Sequence, residues 1–420
     1  MIAATAQTAS VAQAVANLAV WLETVRQPGG YAGPVAHWWQ NRYRYTGPGL
    51  DWRYEGLLEG YRVLYEKTGD PCWRQRLQRA ATDLMQGQRP DGTYRSSCFE
   101  LNPGTMGTPH EAAATLGLLG ALRYLKDPDA ALACARRNLE GLVRRLWDPN
   151  RQGFNDRPGV YGRVPNKLAT LAQAFLRFAV VSGEEVWLGY ARAALEDVLG
   201  YQVPRGPLKG AIHQYAPRPG RGDGRFFPYY NARCVPPLLE AAQVFGEERY
   251  RVAARAALGF LERTHRAGGW PQLLYTRGGG VGPRWVAGAA DILRAFRLMG
   301  RPLPNGALEW FLQRQLPSGA FRTAEGFSPG GRADYRDLTP VTGWNDKALR
   351  FLAELLPSGA RLPQATTRTV RLPTRVGRRA AVLVETPEEV RIVGAKGVHL
   401  YHWVKAEPWA RVCVQEVDFR

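Results

Sequence analysis

The sequence is poor in lysine, cysteine, methionine and histidine. Only seven of its 56 basic residues are Lys, and there are four Met and six His in 420 residues. The five cysteines (Cys72, Cys98, Cys134, Cys234 and Cys413) are odd in number and scattered, with no CxxC pair. That argues against a disulfide framework or a thiolate zinc site and fits a reducing compartment. No run approaches the roughly 18 consecutive apolar residues of a membrane span. The N-terminal stretch lacks a basic segment ahead of its apolar residues. Val11, Val15, Leu18, Trp21, Leu22 and Val25 fall near helical spacing. This predicts a first helix rather than a leader, and a cytoplasmic protein without a membrane partner.

Recognisable chemical motifs are missing too. There is no GxGxxG opening a helix, no phosphate-binding Walker loop, no HExxH and no GxSxG. No two His stand at ligand spacing, so neither a metal nor another cofactor is expected. The hydrophobic fraction of 45% is that of an ordinary globular chain. The formal net charge of +19 has two explanations, an anionic partner or an Arg-biased composition. The basic residues form no tail or single stripe, so nucleic acid is not the expected partner. Arginine does suit planar, bidentate binding of carboxylates.

What the sequence does contain is a degenerate turn. Its copies are QPGGY at 27, QRPDGTY at 88, DPNRQGF at 148, QVPRGPLKGAI at 202, HRAGGW at 265 and QLPSGAF at 315. A helical pattern precedes each, over roughly 8–26, 70–87, 129–147, 184–202, 247–265 and 306–316. A second helix follows each, starting near Asp51, Pro109, Pro165, Tyr229, Trp285 and Trp344. Several of the second set are apolar and rich in small residues, while the first set is amphipathic. The second helices start about 55–64 residues apart, a period that marks a repeat architecture. Six helical hairpins with alternating character predict an all-α fold, an (α/α)6 toroid of two concentric rings over 1–357. Segments 358–420 are short, β-branched and bounded by Gly or Pro, which predicts a small β-rich appendage.

The Q-x-P-(D/S)-G-x-aromatic turn resembles the repeat turn of the terpenoid cyclase and protein prenyltransferase toroids. The six-hairpin count with Trp-rich loops resembles the six-hairpin glycosidases and the related lyases and sugar epimerases. This resemblance covers the ring and implies a ligand site at its mouth, where the inner helices begin. Helix N-termini also favour anions there.

The residues at those six starts are polar for helices entering a core. They supply Asp51, Trp52 and Glu55; His110 and Glu111; Asn166 and Lys167; Tyr229, Tyr230, Asn231 and Arg233; Arg284, Trp285 and, two turns down, Asp291; and Trp344, Asn345, Asp346 and Lys347. His213 lies in a long Gly/Pro-rich loop nearby. Asp51, Asn345 and Asp346 also suit helix caps or first turns. Aromatic faces beside hydrogen-bonding groups suit a sugar, so the expected partner is a carbohydrate, acidic ones included. Catalytic candidates are Asp51, Glu55, His110, Glu111, Tyr230 and Asp346. A hydrolase needs two carboxylates across the bond. A lyase or epimerase acting on a uronate needs a Tyr or His to move the α-proton, with Arg233 or Arg284 facing its carboxylate. The remaining candidates (Trp52, Asn166, Lys167, His213, Tyr229, Asn231, Trp285, Trp344, Asn345 and Lys347) are read as substrate-binding. Two other readings stand beside these: a non-catalytic glycan- or partner-binding ring, and a terpenoid-cyclase-like enzyme. The chain lacks the DxDD and DDxxD acidic runs of such cyclases.

Overall fold

The computed structural model describes residues 2–37, 42–95, 107–276, 279–286, 288–327 and 332–407. Cys98, Cys413 and the segment from 408 onward lie outside the described residues. Thirteen α-helices run in chain order among the described residues: α1 (Ile2–Thr24), α2 (Arg53–Thr68), α3 (Pro71–Gly87), α4 (Ala112–Ala121), α5 (Pro128–Leu146), α6 (Pro165–Ser182), α7 (Val186–Gly200), α8 (Pro228–Phe245), α9 (Glu248–Thr264), α10 (Ala289–Leu298), α11 (Ala307–Leu312), α12 (Tyr335–Leu338) and α13 (Thr342–Leu355). The short α12 apart, they form six hairpins. Helices α2, α4, α6, α8, α10 and α13 each pack on the next, and α13 returns to α2 to close an inner ring. Helices α1, α3, α5, α7, α9 and α11 form the outer ring.

Local chemistry explains the alternation. Inner helices α2, α6 and α8 end on Gly69, Gly183 and Gly246 in left-handed conformation, where glycine carries no Cβ penalty. The outer helix α3 then starts at once: Asp70 accepts the Cys72 N–H and Pro71 fills the first turn. Asp127 and Pro128 do the same for α5. On the inner ring, small residues set the spacing. A Cβ on Gly56 would lie 2.6 Å from the Asp346 carbonyl carbon, and one on Gly117 would lie 2.7 Å from the Tyr54 oxygen. Glycine therefore lets α2 approach both α13 and α4.

The recurrent turn is a clasp between neighbouring hairpins. Gln88 Nε2 donates to Gly92 O and to Cys134 O of α5. Gln202 donates to Gly210 O and Ala253 O of α9, and Gln315 to Gly319 O and Ala14 O of α1. The turn glycines fit no other residue: a Cβ on Gly92 (φ +86°) would meet Arg137 O at 2.1 Å.

The ring departs from the all-helical expectation at one rim. The fifth inner helix starts at Ala289, and Arg284 and Trp285 end a strand instead. Short antiparallel strand pairs are β1 (Arg26–Gln27) with β2 (Gly30–Tyr31), β3 (Gly33–His37) with β4 (Arg42–Thr46), and β5 (Trp147–Asp148) with β6 (Gly153–Phe154). The strands β7 (Arg225–Phe226), β8 (Pro271–Tyr275), β9 (Gly280–Trp285) and β10 (Ala324–Glu325) form a four-stranded sheet in the order β10-β9-β8-β7. Glycines and Pro283 in GVGPRW oppose helix nucleation, so the stretch up to the expected helix start at Trp285 pairs as a strand.

The appendage is an antiparallel sheet of β11 (Val370–Val376), β12 (Arg379–Glu385), β13 (Glu389–Gly394) and β14 (His399–Val404), adjacent in that order. Its buried face joins the same apolar core as the ring through Val376, Leu383, Ile392 and Trp403. Polar ties add to it: Trp21 Nε1 donates to Glu385 Oε1 at 2.7 Å, and Gln27 Nε2 to Lys405 O at 2.5 Å.

Candidate active site

The side chains at the inner-helix starts divide into those that pin the ring and those that converge on its axis. Glu111 Oε1 accepts the Tyr94 N–H at 2.7 Å, Asn231 Oδ1 that of Ile212 at 2.6 Å, and Asn345 Oδ1 that of Phe321 at 2.7 Å. Each thus anchors the residue two positions after a clasp glycine. The asparagines also donate back to Ile212 O and Phe321 O. Glu111 additionally accepts from Gly107 N–H and from Asn138 Nδ2, and burial raises its carboxyl above the ordinary value.

Four other candidates are similarly engaged. Asp51 grips Arg53, through Oδ1 to Nε at 2.8 Å and Oδ2 to Nη2 at 2.7 Å, and caps α2 through the Arg53 N–H. Lys167 pairs with Asp156 at 2.8 Å. His213 Nδ1 accepts the Gly224 N–H at 3.1 Å, with its ring on Phe226. Arg284 sits at the outer rim, paired with Glu325 and donating to Ala267 O. Tyr230 packs on Phe227 and Tyr229, and burial pushes its hydroxyl up to about 12.

The axis of the ring is filled by ion pairs. Arg233 grips Glu55 with two bonds of 2.7 and 2.6 Å and approaches Asp291 at 3.4 Å. Arg350 binds Glu55 at 2.8 Å, Glu59 at 2.6 Å and Asp291 at 2.5 Å. Arg177 continues the chain from Glu59 to Glu240. Burial alone would raise Glu55, but Arg233, Lys347 and Arg350 hold it well below the carboxylate range. Asp291 is also lowered, burial being outweighed by Arg350 and Arg233. The residues Glu59, Arg177, Glu240 and Arg350 are absent from the sequence-derived set. They follow the mouth residues at helical steps along otherwise apolar helices, and that spacing was the available signal.

Asp346 differs from the other acids. It is fully buried; its Oδ2 accepts from Gly56 N–H at 3.0 Å and Lys347 Nζ at 2.6 Å, while Oδ1 has no partner among the described residues. Burial outweighs Lys347 and Arg350 and lifts the carboxyl to about 7.

Above this floor lies the mouth. Trp52 stands one turn above Glu55, Asn166 above Thr170, Tyr229 above Arg233 and Trp344 above Lys347. Side chains three or four positions apart share a helix face. The lower members meet one another: Arg233 reaches Thr170 Oγ1 at 3.4 Å and Glu55, and Lys347 lies 3.5 Å from Glu55. The upper four therefore surround one axial point. The Trp52 ring lies 5.9 Å from Trp344 and 6.2 Å from His110, and Trp344 meets Trp285 edge-on at 4.5 Å. Among the described residues Asn166 Oδ1 has no hydrogen-bond partner. His110 is half-buried; burial first, then Arg233 and Lys167, hold its imidazole well below the ordinary value, against the pull of Glu55. Its imidazole is held in the neutral form over a floor of paired charges. Among the described residues no cluster of three or more His, Cys, Asp or Glu is placed to hold a metal, and no helix is long and apolar enough to cross a membrane.

Two closed rings of six helices with a polar axis, open where the inner helices begin, define an (α/α)6 toroid. The fold is shared with solved structures of sugar-active enzymes. A cellobiose 2-epimerase from Spirochaeta thermophila is similar over 81% of this chain and 93% of its own, with TM-score 0.61 and 15% identity. A sugar epimerase from a ruminal bacterium is similar over 82% and 97%, with TM-score 0.60 and 13% identity. An inactive variant of an α-1,6-mannanase of Salegentibacter sp., in complex with α-1,6-mannotriose, is similar over 83% and 99%, with TM-score 0.56 and 14% identity. No family model and no curated protein sequence matches the chain.

Proposed function

We propose that this protein is a carbohydrate-active enzyme that moves a carbon-bound proton of a sugar, as aldose–ketose isomerases and sugar epimerases do, with His110 as the base. The observation that carries the reading is the half-buried imidazole of His110 beside Trp52, kept neutral by burial and the nearby Arg233, at a mouth where the described residues offer no free carboxylate. Glycoside hydrolysis needs two carboxylates flanking the bond, one of them protonated. Here Glu55, Glu59 and Asp291 are bound to guanidinium groups, and Asp346 is sealed below the opening. The similar mannanase is a variant inactivated at two consecutive aspartates; this chain contains no two consecutive Asp. Similar structures include two sugar epimerases and a D-mannose isomerase, beside glycoside hydrolases.

In this reading His110 takes the proton on the carbon next to the sugar carbonyl. The C–H electrons form the enediolate double bond, and the carbonyl oxygen takes the negative charge. The imidazolium then returns the proton to C2, or, once the O2 hydroxyl proton has passed to O1, to C1, which leaves the carbonyl at C2. Arg233 and Lys347 lie below, both also engaged by Glu55, so the charge they present to the anion is shared with that carboxylate. Trp52 and Trp344 present ring faces to the sugar, and the bare Asn166 carbonyl accepts a hydroxyl.

The test is solvent-proton exchange. Aldoses, ketoses and reducing disaccharides are incubated with enzyme in D2O and followed by NMR. The wild type is expected to place deuterium at C2 of its substrate, and His110→Asn to slow this about 100-fold or more. If no sugar takes up deuterium while glycans release new reducing ends, hydrolysis replaces proton transfer. Asp346, with its raised carboxyl and bare Oδ1, is then the acid to substitute. Silence in both assays favours a binding ring.

A further inference from the structure

Between residues 355 and 384 the chain has six arginines and no acidic side chain. Strand periodicity decides where they point. Along β11, Val370, Thr374 and Val376 are buried, whereas Arg371 and Pro373 are exposed and Arg375 is half-exposed. The ladder sets Arg371 opposite Val384, Val384 opposite Arg391, and Arg391 opposite His402. The face away from the core therefore carries Arg371 and Arg391 on either side of the buried Val384, with Arg391 and His402 both paired to Glu389, so its unpaired charge lies at the Arg371 edge. Arg361 and Arg368 before the sheet and Arg378 and Arg379 at its first turn are also exposed. Among the described residues, Arg361, Arg368, Arg371, Arg378 and Arg379 enter no ion pair, in a protein whose outer helices pair most of theirs. An edge strand needs only one or two charges to block pairing with another chain; this run continues through the preceding segment and the turn.

We infer that this face, Arg371 and Arg391 with the flanking Arg368, Arg378 and Arg379, binds a polyanionic glycan of the uronate type. Guanidinium forks match carboxylates bidentately. Among the described residues the outward face carries no Trp, Tyr or Phe for stacking bases, which disfavours single-stranded nucleic acid. The sheet also adjoins the mouth's wall: Arg375 N–H donates to Ala333 O, and Asp334 bridges to Arg375. A bound chain would run past the rim segment that carries Phe327, which packs on the Trp285–Trp344 cluster. This surface is separate from the mouth and needs no turnover, so it stands or falls independently of the proton-transfer reading.

The experiment measures binding of the full chain to polygalacturonate, to neutral dextran and to duplex DNA over a range of salt. Polygalacturonate is expected to bind, to weaken with salt, and to lose about tenfold or more in affinity when Arg371, Arg378 and Arg379 are all changed to Glu. Dextran should not bind. The same charge change at the scattered exposed Arg144, Arg157 and Arg205 should have little effect, and His110→Asn none. Circular dichroism checks that the patch variant is folded. DNA held more tightly than polygalacturonate overturns the glycan assignment. Equal weakening by the scattered variant reduces the effect to net charge and overturns the site, as does no binding at all.

Discussion

Replacing Asp346 by Asn should make folding less sensitive to pH between about pH 5 and pH 8. The carboxyl has an ordinary value of 3.8 and is lifted to about 7 in the fold, chiefly by burial. Below 3.8 both states are protonated and the group is neutral to stability. Between 3.8 and 7 the folded protein keeps a proton that the unfolded chain has released, so stability falls as pH rises, by about 1.4 kcal/mol per pH unit. Above 7 both states are ionised and the loss is complete. The wild type should therefore lose roughly 2–3 kcal/mol from this group between pH 5 and pH 8. Asn fits the site: its oxygen accepts from Gly56 N–H and Lys347, as Oδ2 does now, and its amide fills the bare side. A fixed offset from the altered hydrogen bonds of the amide is expected, so the readout is the slope. Urea unfolding followed by tryptophan fluorescence at several pH values measures it. If wild type and Asp346→Asn run parallel across the range, Asp346 is ionised throughout and the reasoning fails.

Three further predictions concern the floor, the base and the clasp. Glu55→Gln leaves Arg233, Arg350 and Lys347 facing a neutral amide; breaking such a buried pair costs roughly 3–5 kcal/mol, read as a lower melting temperature at neutral pH. Because Glu55 is held well below the carboxylate range, the wild-type advantage should be present at neutral pH and vanish as acid protonates it. In the proposed reaction, the rate with wild type should rise with pH along a limb lying below the ordinary histidine value of 6.5 and then stay flat; a limb above 6.5 counts against His110. Gly92→Ala should destabilise by about 2 kcal/mol or more, since it adds a clash with Arg137 O to the strain of a positive φ. Gly69→Ala, at φ +70° with open space around it, should cost about 1–2 kcal/mol from strain alone.

The ring was legible because its punctuation is chemical. Gly, Asp-Pro and Gln recur where an inner helix must stop, an outer one start and a turn be clasped. Helix starts at Pro109 and Pro165 follow from residues that have no other economical use. The fifth hairpin was not legible, because Arg284 and Trp285 look like a helix start and only pairing with Pro271 and Glu325 makes them a strand. The site was half legible for a related reason. A polar residue at a helix start has the same sequence signature whether it anchors a neighbouring turn, as Glu111, Asn231 and Asn345 do, or faces the axis, as His110 and Glu55 do. Only tertiary pairing separates the two.

The clasps and anchors occur on alternate hairpins. Gln88, Gln202 and Gln315 precede the helices that carry Glu111, Asn231 and Asn345, and each clasp reaches the following hairpin, Gln315 reaching back to α1. The unit that repeats is therefore two hairpins, and the toroid is a pseudo-threefold assembly in which the seam between chain ends is bonded like the other two. Immediately before each anchor stands a different residue: His110, Tyr230 and Trp344. A frame repeated three times thus holds one base, one phenol and one indole in the same register, and those positions can change chemistry without disturbing the anchors beside them.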